Sequence, residues 1–117
     1  MQVQINTDNQ LSADEALRAQ AEAILATALG RFSNRITRVE VHLSDESSAA
    51  KSNGMDKRCV IEARVTGRQP VAVTNDGETV AKAMTGAARK LHTLLASTFD
   101  KLDHKKGLTP LGDIMPA

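Results

Sequence analysis

Two stretches of strict alternation constrain this chain more than any other feature. In residues 39–44, Val39, Val41 and Leu43 fall on one side and Glu40, His42 and Ser44 on the other. In residues 58–66, Cys59, Ile61, Ala63 and Val65 alternate with Arg58, Val60, Glu62, Arg64 and Thr66. A period of two marks a half-buried strand. Strands of this kind must have one face covered and can leave the other in water. Val3 and Ile5 against Gln2, Gln4 and Asn6 make a shorter strand at the start, and the second strand reaches back to Ile36. Val71-Ala72-Val73 is a short fourth strand, with Pro70 at its start, where a missing N–H is tolerated.

Two segments can supply the cover. Leu17, Ala21, Ile24, Leu25 and Ala28 recur at helical spacing. Ser12 and Glu15 have the spacing of a capping box, and Gly30 is a stop signal, so a helix is expected over 13–29. Asp76-Gly77-Glu78 is expected to open a second helix. Val80, Met84, Ala87, Leu91, Leu94, Leu95 and Leu102 give it an apolar face, and Gly107 ends it. The order is β-α-β-β-β-α. It predicts an α+β two-layer sandwich, a four-stranded mixed sheet with both helices packed on one face. The first strand, helix and second strand have room for a right-handed parallel crossover. Residues 1–106 form one domain in this reading. Residues 107–117, with Pro110 and Pro116 and no periodicity, read as a flexible tail. Residues 45–57 are a long polar hairpin connection containing Asn53-Gly54, of a length often put to functional use.

At 117 residues the chain is one domain's worth of sequence. Its only aromatic residues are Phe32 and Phe99, so the core must be aliphatic and rich in alanine. The lack of Trp and Tyr also argues against a single-strand binder that stacks bases on aromatic platforms. No apolar run approaches the roughly 18 residues of a membrane helix. The start lacks the charge and apolar stretch of a secretory leader. One cysteine fits a reducing compartment. The expectation is a cytoplasmic protein with no membrane partner.

Little here suggests catalysis. Cys59 falls on the buried side of its strand with no histidine beside it in sequence, and reads as a small core residue. His42, His92 and His104 are scattered, match no zinc-ligand spacing and read as surface histidines. Asp45, Glu46 and Asp56 could bracket a cation but lack the alternate-position pattern of a calcium loop, and read as solvated. Gly54, Gly67 and Gly77 are isolated turn glycines rather than a phosphate-binding loop. Neither an enzyme, a cofactor, a metal site nor a small-molecule substrate is expected.

Charge is more informative. Net charge is +1, but residues 1–56 carry −3 and residues 57–117 carry +4. Residues 81–106 hold six Lys/Arg against Asp100 and Asp103. A charged helix flank is most often plain solvated surface. Arg58 and Arg64 share one side of their strand and could extend this flank into a single basic surface. Lys82, Arg89, Lys90, Lys101, Lys105, Arg58 and Arg64 are therefore the candidate phosphate contacts. Such contacts position a protein rather than read sequence, and they are salt-sensitive.

The element order also resembles a known family. Its carriers are Met1-Gln2-Val3-Gln4-Ile5, the helix after Leu11-Ser12, and Ile36-Thr37-Arg38-Val39-Glu40-Val41-His42-Leu43. To these are added Asp56-Lys57-Arg58-Cys59, Ala83-Met84, Lys90-Leu91, Leu94-Leu95 and Asp100-Lys101-Leu102. Over residues 1 to about 106 the chain resembles the ribosome hibernation-promoting factor and ribosome-associated inhibitor family, also called the sigma-54 modulation protein family, in its short form. The resemblance implies a fold similar to double-stranded RNA-binding domains. It also implies binding to ribosomal RNA in the decoding channel of the small ribosomal subunit, where an occupant blocks translation in stationary phase or stress. Lys90 and Lys101 match basic positions of the family. His92-Thr93 and Ser97 stand where many members have further basic residues. The competing reading is a protein-interaction adaptor of the same fold that binds no RNA. A thiol-dependent activity at Cys59 is a third, and it requires an accessible thiol.

Overall fold

The computed structural model describes residues 1–8, 14–45 and 56–107, with side chains to Lys101. The strands are β1 (Gln2–Thr7), β2 (Ile36–Asp45), β3 (Lys57–Val65) and β4 (Val71–Gly77). The helices are α1 (Glu15–Leu29) and α2 (Val80–Gly107), and a 3-10 turn, Gly30–Phe32, follows α1. The sheet order is β1-β2-β3-β4, with β1 and β2 parallel and the other neighbours antiparallel. The expected α+β architecture is therefore the one observed.

Alternation sets which face is covered. Val39, Val41, Leu43, Cys59, Ile61, Ala63 and Val65 are all buried in one cluster with Ala21, Leu25 and Leu29 of α1 and Ala83, Met84, Ala87, Leu91, Leu95 and Phe99 of α2. Both helices thus lie on the same face of the sheet. Alanines at 83, 87 and 88 keep α2 close to the strands beneath it. The two phenylalanines end up together. Phe32 and Phe99 pack as a tilted pair with ring centroids 5.3 Å apart, and the Arg35 guanidinium lies 4.0 Å above the Phe99 ring.

Element ends differ from expectation for local reasons. The α1 cap is Asp14, whose Oδ1 accepts from Leu17 N–H at 2.8 Å. It takes the place expected of Ser12, which lies outside the described residues. Gly30 does not adopt the left-handed conformation of a helix-ending glycine. Its φ is −55°, and the chain tightens into the 3-10 turn that buries Phe32. β4 is longer than expected, because Asp76 and Gly77 pair with Arg58 and Lys57 rather than opening a helix. The first turn of α2 is instead capped by Thr79, whose Oγ1 accepts from Lys82 N–H at 3.1 Å. Leu94, expected on the apolar face, is 36% exposed. Of the expected tail, Gly107 is the last residue of α2 and 108–117 lie outside the described residues, as do residues 46–55 of the hairpin connection and the Leu102 side chain.

The junction of β4 and α2 is tight. Asn75 Nδ2 donates to the Ala83 carbonyl at 3.2 Å, with its side chain laid against Gly86. A Cβ on Gly77 would sit 2.7 Å from the Ala83 backbone nitrogen. Backbone cannot move away as a flexible side chain can. Gly77→Ala is therefore expected to cost about 1–3 kcal/mol, read as a lower midpoint in denaturant unfolding. An unchanged midpoint would mean that α2 is not seated this closely.

Candidate nucleic-acid interface

α2 is 28 residues long, or about 42 Å at 1.5 Å per residue. Its buried residues face the sheet, so Lys82, Arg89, Lys90, Thr93, Leu94, Ser97 and Lys101 are left exposed. No Asp or Glu occurs between Glu78 and Asp100. This flank is consequently basic through more than five helical turns. Arg89, Lys90, Thr93, Leu94 and Ser97 line one shallow hollow on it.

The candidate side chains differ in their partners. Lys90 Nζ reaches down to the β4 edge and donates to the Thr74 carbonyl at 2.9 Å. Lys82 Nζ lies 3.1 Å from Glu78 Oε1, an exposed pair one helical turn apart and of a type worth well under about 1 kcal/mol. Arg89 and Lys101 are exposed on the helix. Arg58 is held across the strands by Asp76, with Nε 2.9 Å from Oδ1 and Nη2 3.4 Å from Oδ2. Arg64 is exposed beside Arg38, its partner in the β2–β3 ladder. The Lys105 side chain lies outside the described residues.

The structure does not gather these residues into the single surface expected of them. Arg58 and Arg64 alternate with the buried Cys59, Ile61 and Ala63. They therefore project from the sheet face opposite the helices. The sheet itself separates them from the α2 flank.

That open face has its own order. Arg38 Nη2 donates to Gln4 Oε1, Gln4 Nε2 to Asn6 Oδ1 at 3.4 Å, and Asn6 Nδ2 lies 3.4 Å from His42 Nδ1. His42 Nε2 faces Glu40 Oε1 at 3.5 Å and Glu62 Oε1 at 3.8 Å. Sequence spacing puts Glu40 and His42 on one side of a strand. It cannot add Glu62, because the register across the long connection fixes that neighbour. Asp45 and Asp56 do bracket a cation, but it is the Lys57 ammonium, 3.5 Å from Asp45 Oδ2 and 3.0 Å from Asp56 Oδ1. The Asp56 hydrogen bond raises the Lys57 pKa and outweighs the opposing desolvation, and the charges of Asp45 and Asp56 add to the rise. Glu46 lies outside the described residues.

His92 is likewise not legible from spacing as a structural residue. Its Nδ1 lies 2.7 Å from the Ala28 carbonyl, so Nδ1 carries the proton and donates it. That carbonyl is one of the four left unpaired at the C-terminal end of α1. The imidazole ring packs against Phe32, with centroids 5.5 Å apart. His92 therefore ties α2 to α1 rather than adding to the basic flank. Beside it, Ile24, Ala28, Thr85, Ala88 and Arg89 line a groove of about 650 Å³ between the helices.

With this geometry established, comparison with known proteins is decisive about ancestry. A sequence model described as "Sigma 54 modulation protein / S30EA ribosomal protein" matches residues 3–103. The chain belongs to that family. It is a family of ribosome-associated proteins. No curated protein matches the chain in sequence. The fold is similar to a ribosomal subunit interface protein from Coxiella burnetii, with TM-score 0.66 and 16% identity over 86% of this chain and 99% of that one. It is also similar to the N-terminal domain of Thermus thermophilus Protein Y, with TM-score 0.66 and 21% identity over 84% of this chain and 99% of that one. Among the described residues no helix is long and apolar enough to cross a membrane.

Cys59 sits at the centre of the core with no exposed surface, and burial pushes its thiol up to about 12. The thiolate is the reactive form. Native protein is therefore expected to react with a disulfide reagent only as fast as it unfolds, with full labelling in denaturant. Rapid labelling of native protein would reinstate a thiol-dependent role.

Proposed function

We propose that the protein is a cytoplasmic translation inhibitor that occupies the decoding channel of the small ribosomal subunit and holds ribosomal RNA through the exposed flank of α2. The observation that supports this most is the acid-free run of α2. It places Arg89, Lys90 and Lys101 on one side of a rigid helix, interleaved with Thr93 and Ser97, in a chain of this family. Lys and Arg at that spacing can neutralise successive phosphates, and small hydroxyl residues let a backbone approach closely. The description of the Coxiella burnetii protein as a ribosomal subunit interface protein agrees with a site on a subunit surface.

Lys90 and Lys101 are the residues assigned the closest phosphate contacts, with Arg89 and Lys82 beside them. Lys90 is well placed for this, since its bond to Thr74 keeps the ammonium low on the helix rather than free in solvent. Arg58 and Arg64, on the far side of the sheet, are assigned no contact with the same RNA surface.

Co-sedimentation with small ribosomal subunits over a salt series tests the assignment. Binding is expected to fall steeply with salt and to be competed by messenger or transfer RNA. Lys90→Glu with Lys101→Glu is expected to flatten the log–log salt slope by about two, at roughly 0.9 for each duplex phosphate no longer neutralised. Arg64→Glu should leave it unchanged. Weakening by Arg64→Glu, with no effect of the α2 variant, would put the RNA on the sheet face. Salt-independent binding would favour a protein-interaction adaptor.

A further inference from the structure

The open sheet face holds a second, chemically different constellation. β2 and β3 are registered so that Glu40 and Glu62 stand directly opposite each other. Like charges in that position are destabilising. Arg38 offsets Glu40 from one side, its Nε 3.1 Å from Oε2. For Glu62, the His42 ring, its Nε2 3.8 Å from Oε1, is the one potential ion-pair partner among the described residues, and only when protonated. One atom each from Glu40, His42 and Glu62 lies within 4.8 Å of the other two. These atoms converge on a point above the strands.

The geometry points to a divalent transition-metal site formed by Glu40, His42 and Glu62, of the zinc class. An imidazole among the donors selects such ions over magnesium or calcium. Two carboxylate oxygens and one imidazole nitrogen give three protein ligands, and water completes a tetrahedral shell. Bonds of 2.0–2.1 Å place tetrahedral ligands about 3.3 Å apart. The existing separations of 3.5 and 3.8 Å from His42 Nε2 are close to that. Rotation of the two glutamate arms supplies the rest. The side chains are 20%, 42% and 49% exposed for Glu40, His42 and Glu62, so an ion reaches the site from solvent without opening the fold.

Outer partners are already in position. The Arg38 guanidinium lies beside the second oxygen of Glu40 as an ion pair, while Oε1 faces His42. Asn6 stands at the far nitrogen of His42. Such outer contacts orient ligands and raise affinity. In the metal-free network Asn6 Nδ2 faces Nδ1, so the neutral ring carries its proton on Nε2, directed at the glutamates. Metal binding moves that proton to Nδ1. The Asn6 amide then turns to accept it through Oδ1 and gives up the long contact from Gln4 Nε2, while Gln4 Oε1 stays with Arg38. A ring that starts protonated releases one proton to solvent instead. A bound dication relieves the Glu40–Glu62 opposition and cross-links β2 to β3.

Titration of the full chain with zinc chloride, followed by calorimetry and by thermal unfolding, tests this without ribosomes. It therefore succeeds or fails independently of the RNA-binding proposal. One zinc per chain and a raised Tm are expected. Glu62→Gln and His42→Ala should each weaken binding by at least about tenfold. His104→Ala should leave it intact. Glu62 is exposed, so its variant keeps the fold, and the Tm without metal verifies this. Absence of zinc binding, or binding that persists in both Glu62→Gln and His42→Ala, would overturn the site.

Discussion

The close seating of α2 on β3 and β4 is the constraint from which the rest of the molecule follows. Ala83, Ala87 and Ala88 are buried where larger side chains would hold the helix off the sheet. Gly77 and Gly86 remove the last obstacles at the strand end, and Asn75 pins the two backbones. A chain with two aromatic residues cannot fill a thick core, so its layers must approach closely. Once α2 is fixed in rotation by this packing, the direction of every charged residue on it is fixed as well.

That rotation sorts the charges into two unrelated surfaces. One is the outer flank of α2, basic and free of acids from one end of its central turns to the other. The other is the open sheet face, where Arg58 is neutralised by Asp76 and Arg38 by Glu40. A phosphate backbone approaching the sheet would meet carboxylates beside both of these arginines. On the α2 flank it meets ammonium, guanidinium and hydroxyl groups. The asymmetry comes from packing and register, and a count of basic residues along the chain does not contain it.

Most of the architecture is legible in the sequence because alternation and helical spacing are local signals. Residues 39–44 and 58–66 declare their buried sides, and α2 declares its length. Legibility fails where a long-range contact decides the outcome. β4 continues through Asp76 and Gly77 because β3 offers them partners. His92 belongs to the core boundary because the end of α1 presents a carbonyl to it. Alternation sets Arg58 and Arg64 opposite the side that the helices cover, so their separation from the α2 flank follows from the sandwich itself, against the single basic surface expected. Glu62 joins Glu40 and His42 through register alone. The family resemblance, by contrast, rests on short segments in order and is sound over nearly the whole domain.

The central claim is that the α2 flank, and not the sheet face, lies against ribosomal RNA. Directed hydroxyl-radical probing of the small subunit tests it most directly, with an iron chelate tethered at Ser97→Cys or at Ala72→Cys. Both positions are exposed on opposite sides of the molecule, and buried Cys59 does not compete for the label. Strong cleavage of decoding-channel RNA from position 97, with little from position 72, is the predicted result. Cleavage mainly from position 72, or none from either in a complex that sediments, would contradict the account.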